Sequence, residues 1–173
     1  MKTIYLIFGL LSLIFMSSCS NVVFKQALPQ EENSLSEFPK KIRGTYIDDE
    51  SDTLVITRNA YTYGNINSQP LFHGELSEEV VLKKYKDFYF LNFQSDNNYW
   101  EMMAGQFKRS EVILFSIDVE NSDQFKIIEE YMDGDYQKIN KDDKYLIDPS
   151  LKQLLNMLED DRICQKSVLK KLK

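Results

Sequence analysis

Residues 111–119 read EVILFSIDV and carry an apolar side chain at every second position: Ile113, Phe115, Ile117 and Val119. Successive side chains of a β-strand point to opposite faces of the sheet, so these four share one face. The alternation predicts a strand with one buried side.

Shorter stretches of the same character precede this segment. β-Branched and aromatic residues, which favour strands, dominate them, and Asn, Asp, Ser and Lys separate them. The predicted strands cover residues 45–47, 53–57, 61–63, 80–85, 87–93 and 99–107, and residues 64–70 (GNINSQP) form a loop. The chain therefore belongs to the mainly β class, with an antiparallel meander as its expected architecture.

Residues 149–160 carry the clearest helical pattern. Leu151, Leu154, Leu155 and Leu158 follow the i, i+3, i+4, i+7 spacing of one helix face. Asp148 suits the N-cap and Pro149 the first helical position. The pattern predicts a C-terminal helix packed on the sheet, followed by a solvated basic tail over residues 168–173.

Residues 124–131 (QFKIIEEY) leave two predictions open. Asp133-Gly134 is a hairpin signal, which favours a strand. Ser122 or Asp123 is an equally good cap for a short helix.

The tetrapeptide Arg43-Gly44-Thr45-Tyr46 opens the first strand of the meander. It resembles the Gly-x-aromatic start of the lipocalin superfamily, whose members usually carry Trp where this chain has Tyr46. The resemblance implies a closed, lipocalin-like barrel that carries an apolar molecule. Such a carrier needs a cavity of several hundred Å³.

The first eighteen residues have the three-part plan of a secretory signal. Lys2 precedes the uncharged run 4–16, which is shorter than the roughly 20 residues needed to cross a bilayer. Met16-Ser17-Ser18-Cys19 resembles a lipoprotein signal: an apolar residue, two small residues and Cys. The resemblance implies cleavage before Cys19, a diacylglyceryl thioether on its sulfur and acylation of the new amino group. The alternatives are an ordinary secretory signal and an uncleaved anchor.

The predicted organisation is a signal peptide (1–18), a lipidated N-terminus with a tether (19–39) and one β-rich domain (40–173). Pro29, Pro39 and the polar run 30–34 favour a flexible spacer, although residues 22–24 (VVF) could pack against lipid or the domain. Ser20 after the cysteine resembles the outer-membrane-directed class. After cleavage the chain would contain 27 acidic and 20 basic residues, which gives a net charge of about −7. Such a negative charge disfavours nucleic acid as a partner.

Catalytic signatures such as G-x-S-x-G, H-E-x-x-H, C-x-x-C and the P-loop are absent from the sequence. His73 is the only histidine, and its setting indicates a surface or half-buried position. Cys164, the one thiol left if Cys19 is acylated, is expected to be a small buried apolar residue. The acidic run 48–52 and the Asp133/Asp135 pair are interpreted as solvated turns, so neither a metal nor a cofactor is expected.

Aromatic residues are frequent in the predicted strands, and they are more often core residues than ligand contacts. Either role is open to a set of six: Tyr61, Tyr63, Tyr85, Tyr89, Tyr99 and Trp100.

Three hypotheses follow from these features. The leading one is a non-catalytic, lipid-anchored envelope domain, with the outer membrane preferred, that binds a protein or a small apolar ligand. The second is an envelope hydrolase acting on carbohydrate or cell-wall material, which needs two facing carboxylates with at least one perturbed pKa. The third is an inhibitor or immunity-type lipoprotein, which needs an exposed apolar patch or a protruding loop such as 64–70.

Overall fold

The computed structural model describes residues 22–65, 71–95, 97–119, 121–139 and 144–172. The signal segment 1–18 and Cys19 lie outside the described residues, as does most of the predicted loop 64–70.

Strands dominate the described part of the chain. Its two α-helices are α1 (Ser122–Met132) and α2 (Leu151–Glu159), and a 3-10 helix covers Lys40–Ile42. In chain order the strands are β1 (Val22–Phe24), β2 (Ser34–Leu35), β3 (Gly44–Ile47), β4 (Asp52–Ile56), β5 (Ala60–Asn65), β6 (Phe72–Glu75), β7 (Val80–Tyr85), β8 (Phe88–Gln94), β9 (Trp100–Phe107), β10 (Glu111–Ile117), β11 (Tyr136–Ile139), β12 (Lys144–Ile147) and β13 (Cys164–Lys171).

All these strands join one sheet, which branches at β9. One path runs β11-β12-β1-β9-β10-β13-β3-β4-β5-β6, and the other leaves β9 through β8 and β7 to β2. The pairing is antiparallel except between β1 and β12, which run parallel. The mainly β, antiparallel prediction is therefore confirmed.

The sheet curls into a half-barrel. Its arms, β3–β6 and β7–β9, approach each other through side chains: the rings of Tyr61 on β5 and Phe93 on β8 lie 5.8 Å apart. Within the described residues β6 pairs only with β5, so backbone hydrogen bonds do not close the curl there.

Two cores cover the two faces of the sheet. The inner core fills the curl and includes Tyr46, Leu82 and Leu169, whereas the outer core packs both helices against β9, β10 and β13. Strand β10 contributes to both, since Val112 and Leu114 enter the inner core and Phe115 and Ile117 the outer one. The predicted face is buried under the helices, but the prediction that only one side is buried was wrong, because Val112 and Leu114 on the opposite side pack inside the curl.

Both helices begin at a capping residue that the sequence analysis did not select. Asn121 caps α1 by accepting hydrogen bonds from the backbone N–H groups of Asp123 and Gln124. Ser150 caps α2 in a reciprocal capping box with Gln153. The helical alternative for residues 124–131 is thus confirmed.

Asp133 ends α1 in a left-handed conformation, with φ at 54°, so Asp133-Gly134 terminates a helix instead of turning a hairpin. The predicted C-terminal helix is confirmed with its apolar face, on which Leu154 and Leu158 are fully buried.

Residues 168–171 of the predicted basic tail are instead the end of β13, which lies between β10 and β3 inside the sheet, and residue 173 lies outside the described residues. Leu169 is fully buried there. Lys171 pairs with Tyr46 on β3, and its side chain crosses Gly44 so closely that a Cβ on Gly44 would lie 2.9 Å from Cε. Gly44 also has φ +135°, a conformation that favours glycine.

The segment predicted as a tether packs on the domain. Val22, Val23 and Phe24 in β1 are 0–2 % exposed, and β1 lies between β12 and β9. Leu28 and Phe38 are also buried. The sequence left open whether residues 22–24 pack against lipid or against the domain, and the structure shows that they pack against the domain. Residues 22–39 therefore do not form a flexible spacer.

Candidate functional site

The inside of the curl holds an apolar cavity of about 50 Å³. Its walls come from both arms of the half-barrel and from Phe38 and Ile42, which precede β3 in the chain. This volume is far below the several hundred Å³ typical of pockets for drug-sized ligands. The expected carrier cavity is therefore corrected: large inward side chains such as Tyr61, Phe93 and Phe107 fill most of the curl.

Strand β6 forms the rim of this cavity. Phe72 lines the cavity, stacks on Tyr63 with ring centroids 6.4 Å apart, and still leaves 49 % of its surface exposed. Its neighbour Leu71 is 61 % exposed. Two large apolar side chains thus meet water at an edge strand beside an apolar opening, an arrangement found at protein-interaction sites.

Among the described residues that line the cavity, only Tyr89 has a buried side-chain polar atom without a hydrogen-bond partner. Its side chain is almost wholly buried, and its hydroxyl has no hydrogen-bond partner. The ring is fixed edge-to-face against Phe107 at 5.4 Å, with the Lys41 and Lys84 ammonium groups 5.8 and 6.0 Å from its centroid. The hydroxyl is thus an unsatisfied buried polar group, which costs stability.

Two further tyrosines of β5 line the cavity as neutral phenols. Burial raises the pKa of Tyr61 to about 12. Burial also raises the pKa of Tyr63, assisted by the negative charges of Asp52, Asp48 and Glu50. The wall is therefore uncharged near neutral pH and suited to apolar groups.

A second, open depression of about 450 Å³ lies beside α1 and α2 and is polar. Its carboxylate Asp160 accepts hydrogen bonds from the Arg162 guanidinium, at 2.6 Å from Nη2, and from the Tyr131 hydroxyl at 3.0 Å. These donors, Arg162 first, hold the pKa of Asp160 well below its usual range. The group is thus a fixed anion that ties α1 to α2, not the proton donor that a glycoside hydrolase requires.

The sequence-selected residues are dispersed over the molecule. His73 is exposed on β6, where it pairs with Thr62 on β5, so its predicted surface position is confirmed. Cys164 is buried in the outer core, and burial raises its pKa to about 11, which confirms the apolar role. Trp100 begins β9 and packs against the outer core.

The acidic run 48–52 forms a hydrogen-bonded turn. Asp48 Oδ1 accepts from the backbone N–H groups of Glu50 and Asp52 at 2.9 and 2.8 Å. In the described ranges no three His, Cys, Asp or Glu side chains come together as a possible metal site.

Five of the six aromatic residues left open belong to one of the two cores. Tyr61, Tyr63 and Tyr89 line the cavity, whereas Tyr85 and Trp100 pack against the outer core. Tyr99 lies half-buried just before β9 and belongs to neither. The contribution of Phe107 and Phe72 was missed. Alternation along β8 and β9 could have placed Phe107, but Phe72 lies in a short strand without a strand-like pattern.

Among the described residues, no helix has both the length and the apolar character needed to cross a bilayer. No protein-family model, curated protein or solved structure matches this chain.

Proposed function

We propose that this chain is a bacterial lipoprotein, anchored to the envelope through Cys19, whose half-barrel domain binds a partner without catalysis. The observation that carries the proposal is the N-terminal sequence, in which an apolar run leads through Met16-Ser17-Ser18 into Cys19. Several acyl chains on one cysteine hold a protein firmly, because each buried methylene contributes about 0.8 kcal/mol.

The intact mass of the mature protein from its native host tests the anchor. Cleavage before Cys19 with acylation gives the mass of residues 19–173 plus the lipid. Cys19→Ala should release the domain or leave the precursor unprocessed. Cys164→Ala is the matched control, since it removes the other cysteine, and it should remain in the membrane fraction. An unmodified Cys19 thiol on protein from its own cells would refute the anchor.

The binding role is supported by the rim and the cavity together. A space of about 50 Å³ accepts a side-chain-sized apolar group, and the exposed Leu71 and Phe72 stand beside it. A protein partner therefore suits the site better than a bulky free lipid. The same exposed pair favours, as a second candidate function, an inhibitor-type lipoprotein that blocks its partner.

Site-specific photo-crosslinking in living cells tests this interface. A crosslinker at position 72 should capture one discrete envelope protein, and excess purified domain should compete for it. Leu71→Ser should weaken that product. A crosslinker at position 168 is the matched control, because Val168 is also 49 % exposed but lies on β13, away from the cavity. Equal capture at both positions would refute the β6 interface.

A further inference from the structure

Strand β1 begins at Val22, three residues after the proposed lipid-bearing Cys19. We infer, on the basis of the proposed anchor, that the domain rests directly on the lipid headgroups where β1 begins and has no spacer to lift it away. The partner of this surface is thus the bilayer that holds the acyl chains.

Covalent geometry limits the separation. Consecutive Cα atoms are about 3.8 Å apart, so the Cα atoms of Cys19 and Val22 are separated by at most about 11 Å. The acyl chains on Cys19 lie in the hydrocarbon, which keeps the cysteine at headgroup level. A folded domain of this size is much thicker than 11 Å, so its surface nearest Val22 must contact the headgroups.

The start of the domain cannot unwind cheaply to lengthen the connection. Val22 and Val23 pair in parallel with Tyr145 and Leu146 on β12, and Phe24 pairs with Trp100 on β9. The strand is 0–2 % exposed, so release would bring three apolar side chains into water.

The residues that follow β1 are fixed as well. The backbone N–H of Lys25 donates to the Ile147 carbonyl at 3.2 Å. The Lys83 ammonium donates to the carbonyl oxygens of Ala27 and Pro29, both at 2.9 Å. The first long connection after Cys19 is therefore part of the folded domain.

Electrostatic attraction does not supply this contact. The mature chain carries a net charge of about −7, which an anionic membrane surface repels. Because the covalent connection enforces the contact, it should persist in uncharged lipid and at high salt, where attraction between charges is screened.

Trp100, the only tryptophan, reports the distance. Its Cα pairs with that of Phe24, two residues from Val22, so strand rise and spacing place it within about 23 Å of the Cys19 Cα. The experiment measures energy transfer from Trp100 to dansyl-labelled headgroups, using native lipidated protein in vesicles of uncharged phosphatidylcholine. A second protein carries twelve Gly/Ser residues inserted between Ser20 and Asn21, a flexible segment whose own r.m.s. span is about 19 Å.

We expect strong transfer for the native protein, unchanged by salt, and a severalfold loss on insertion. The insertion precedes β1, and an unchanged Trp100 emission in detergent verifies that it leaves the fold intact. Weak transfer in native protein that floats with the vesicles, or equal transfer in both proteins, would overturn this inference while leaving the anchor intact. Protein that carries no lipid and fails to float would overturn the anchor and this inference together.

Discussion

The side chain of Asn92 pairs with the backbone of Leu28 as a neighbouring strand would. Its Oδ1 accepts from the Leu28 N–H at 2.7 Å, and its Nδ2 donates to the Leu28 carbonyl at 2.9 Å. Asn92 is fully buried on β8, and Leu28 is fully buried in the segment after β1. One amide thus satisfies both backbone groups of a residue 64 positions away.

Asn92→Leu should therefore be strongly destabilising. Leucine has nearly the same size but leaves the Leu28 N–H and carbonyl without partners in a dry environment, which costs about 3 kcal/mol. Urea unfolding measures this loss of unfolding free energy. Asn156→Leu, at an exposed position on α2, is the matched control and should change it by less than about 0.5 kcal/mol. Equal effects would show that the Asn92 amide is not a structural link.

The same pair explains why the order of the segment after β1 is not evident from its own residues. Strands β7 to β10 were predictable because their aromatic and β-branched residues form long local patterns. The segment after β1 resembles a spacer by composition, because the groups that order it, such as the Asn92 amide and the Lys83 ammonium, lie far away in the sequence. Strand β13 was missed for a related reason: Lys166, Lys170 and Lys171 obscure its alternation, and its burial comes from β10 and β3 on either side.

The candidate site was predictable only in part. Tyr61, Tyr63 and Tyr89 were placed in strands that could line a pocket, and they do line one. The arms curl until the ring of Tyr61 contacts that of Phe93, and a cavity of about 50 Å³ remains between the arms. This closure depends on contacts across the whole domain. No local pattern encodes that closure or the resulting volume.

Tyr89 and Tyr46 form a matched pair for testing the orphaned hydroxyl. Both are buried and both meet Phe107 edge-to-face, but only the Tyr46 hydroxyl has a partner, the Ile42 carbonyl at 2.9 Å. Tyr46→Phe should lower the unfolding free energy by about 1 kcal/mol. Tyr89→Phe should leave it unchanged or raise it by up to about 1 kcal/mol, because it removes an unsatisfied group.

Urea unfolding of both variants measures this difference. If Tyr89→Phe destabilises the protein as much as Tyr46→Phe does, the Tyr89 hydroxyl has a hydrogen-bond partner in solution and is not an unsatisfied group.

Asp160 should make the packing of α1 on α2 sensitive to acid. Its donors lower the pKa in the folded protein, so its contribution to stability is full above about pH 5 and starts to decline below about pH 4, where the carboxyl of the unfolded chain takes up a proton. The contribution is lost completely only when the pH falls through the lowered pKa of the folded protein. Asp160→Asn should therefore cost about 1 to 2 kcal/mol at pH 7, and the difference from the native protein should shrink in acid.

Thermal unfolding between pH 3 and 7 measures the effect. Asp161→Asn is the matched control, because the Asp161 side chain is 81 % exposed and pairs only with Lys166 among the described residues. It should show little change at either pH. A penalty for Asp160→Asn that stays constant down to pH 3 would contradict the role of the charge.

Counting maleimide-reactive thiols should show whether Cys19 carries lipid, because the other cysteine, Cys164, is buried. Burial raises the pKa of Cys164 to about 11, so at pH 8 it is both protonated and inaccessible, and a maleimide should not label it in the folded protein. Native protein acylated on Cys19 should therefore give no labelled thiol when folded and one after unfolding in urea. An unmodified Cys19 would instead add one fast-reacting thiol in the folded state. Cys164→Ala should abolish only the label that appears on unfolding, so the two cysteines can be assigned separately. A fast-reacting thiol that remains after this substitution would belong to a Cys19 without lipid, which would contradict the anchor.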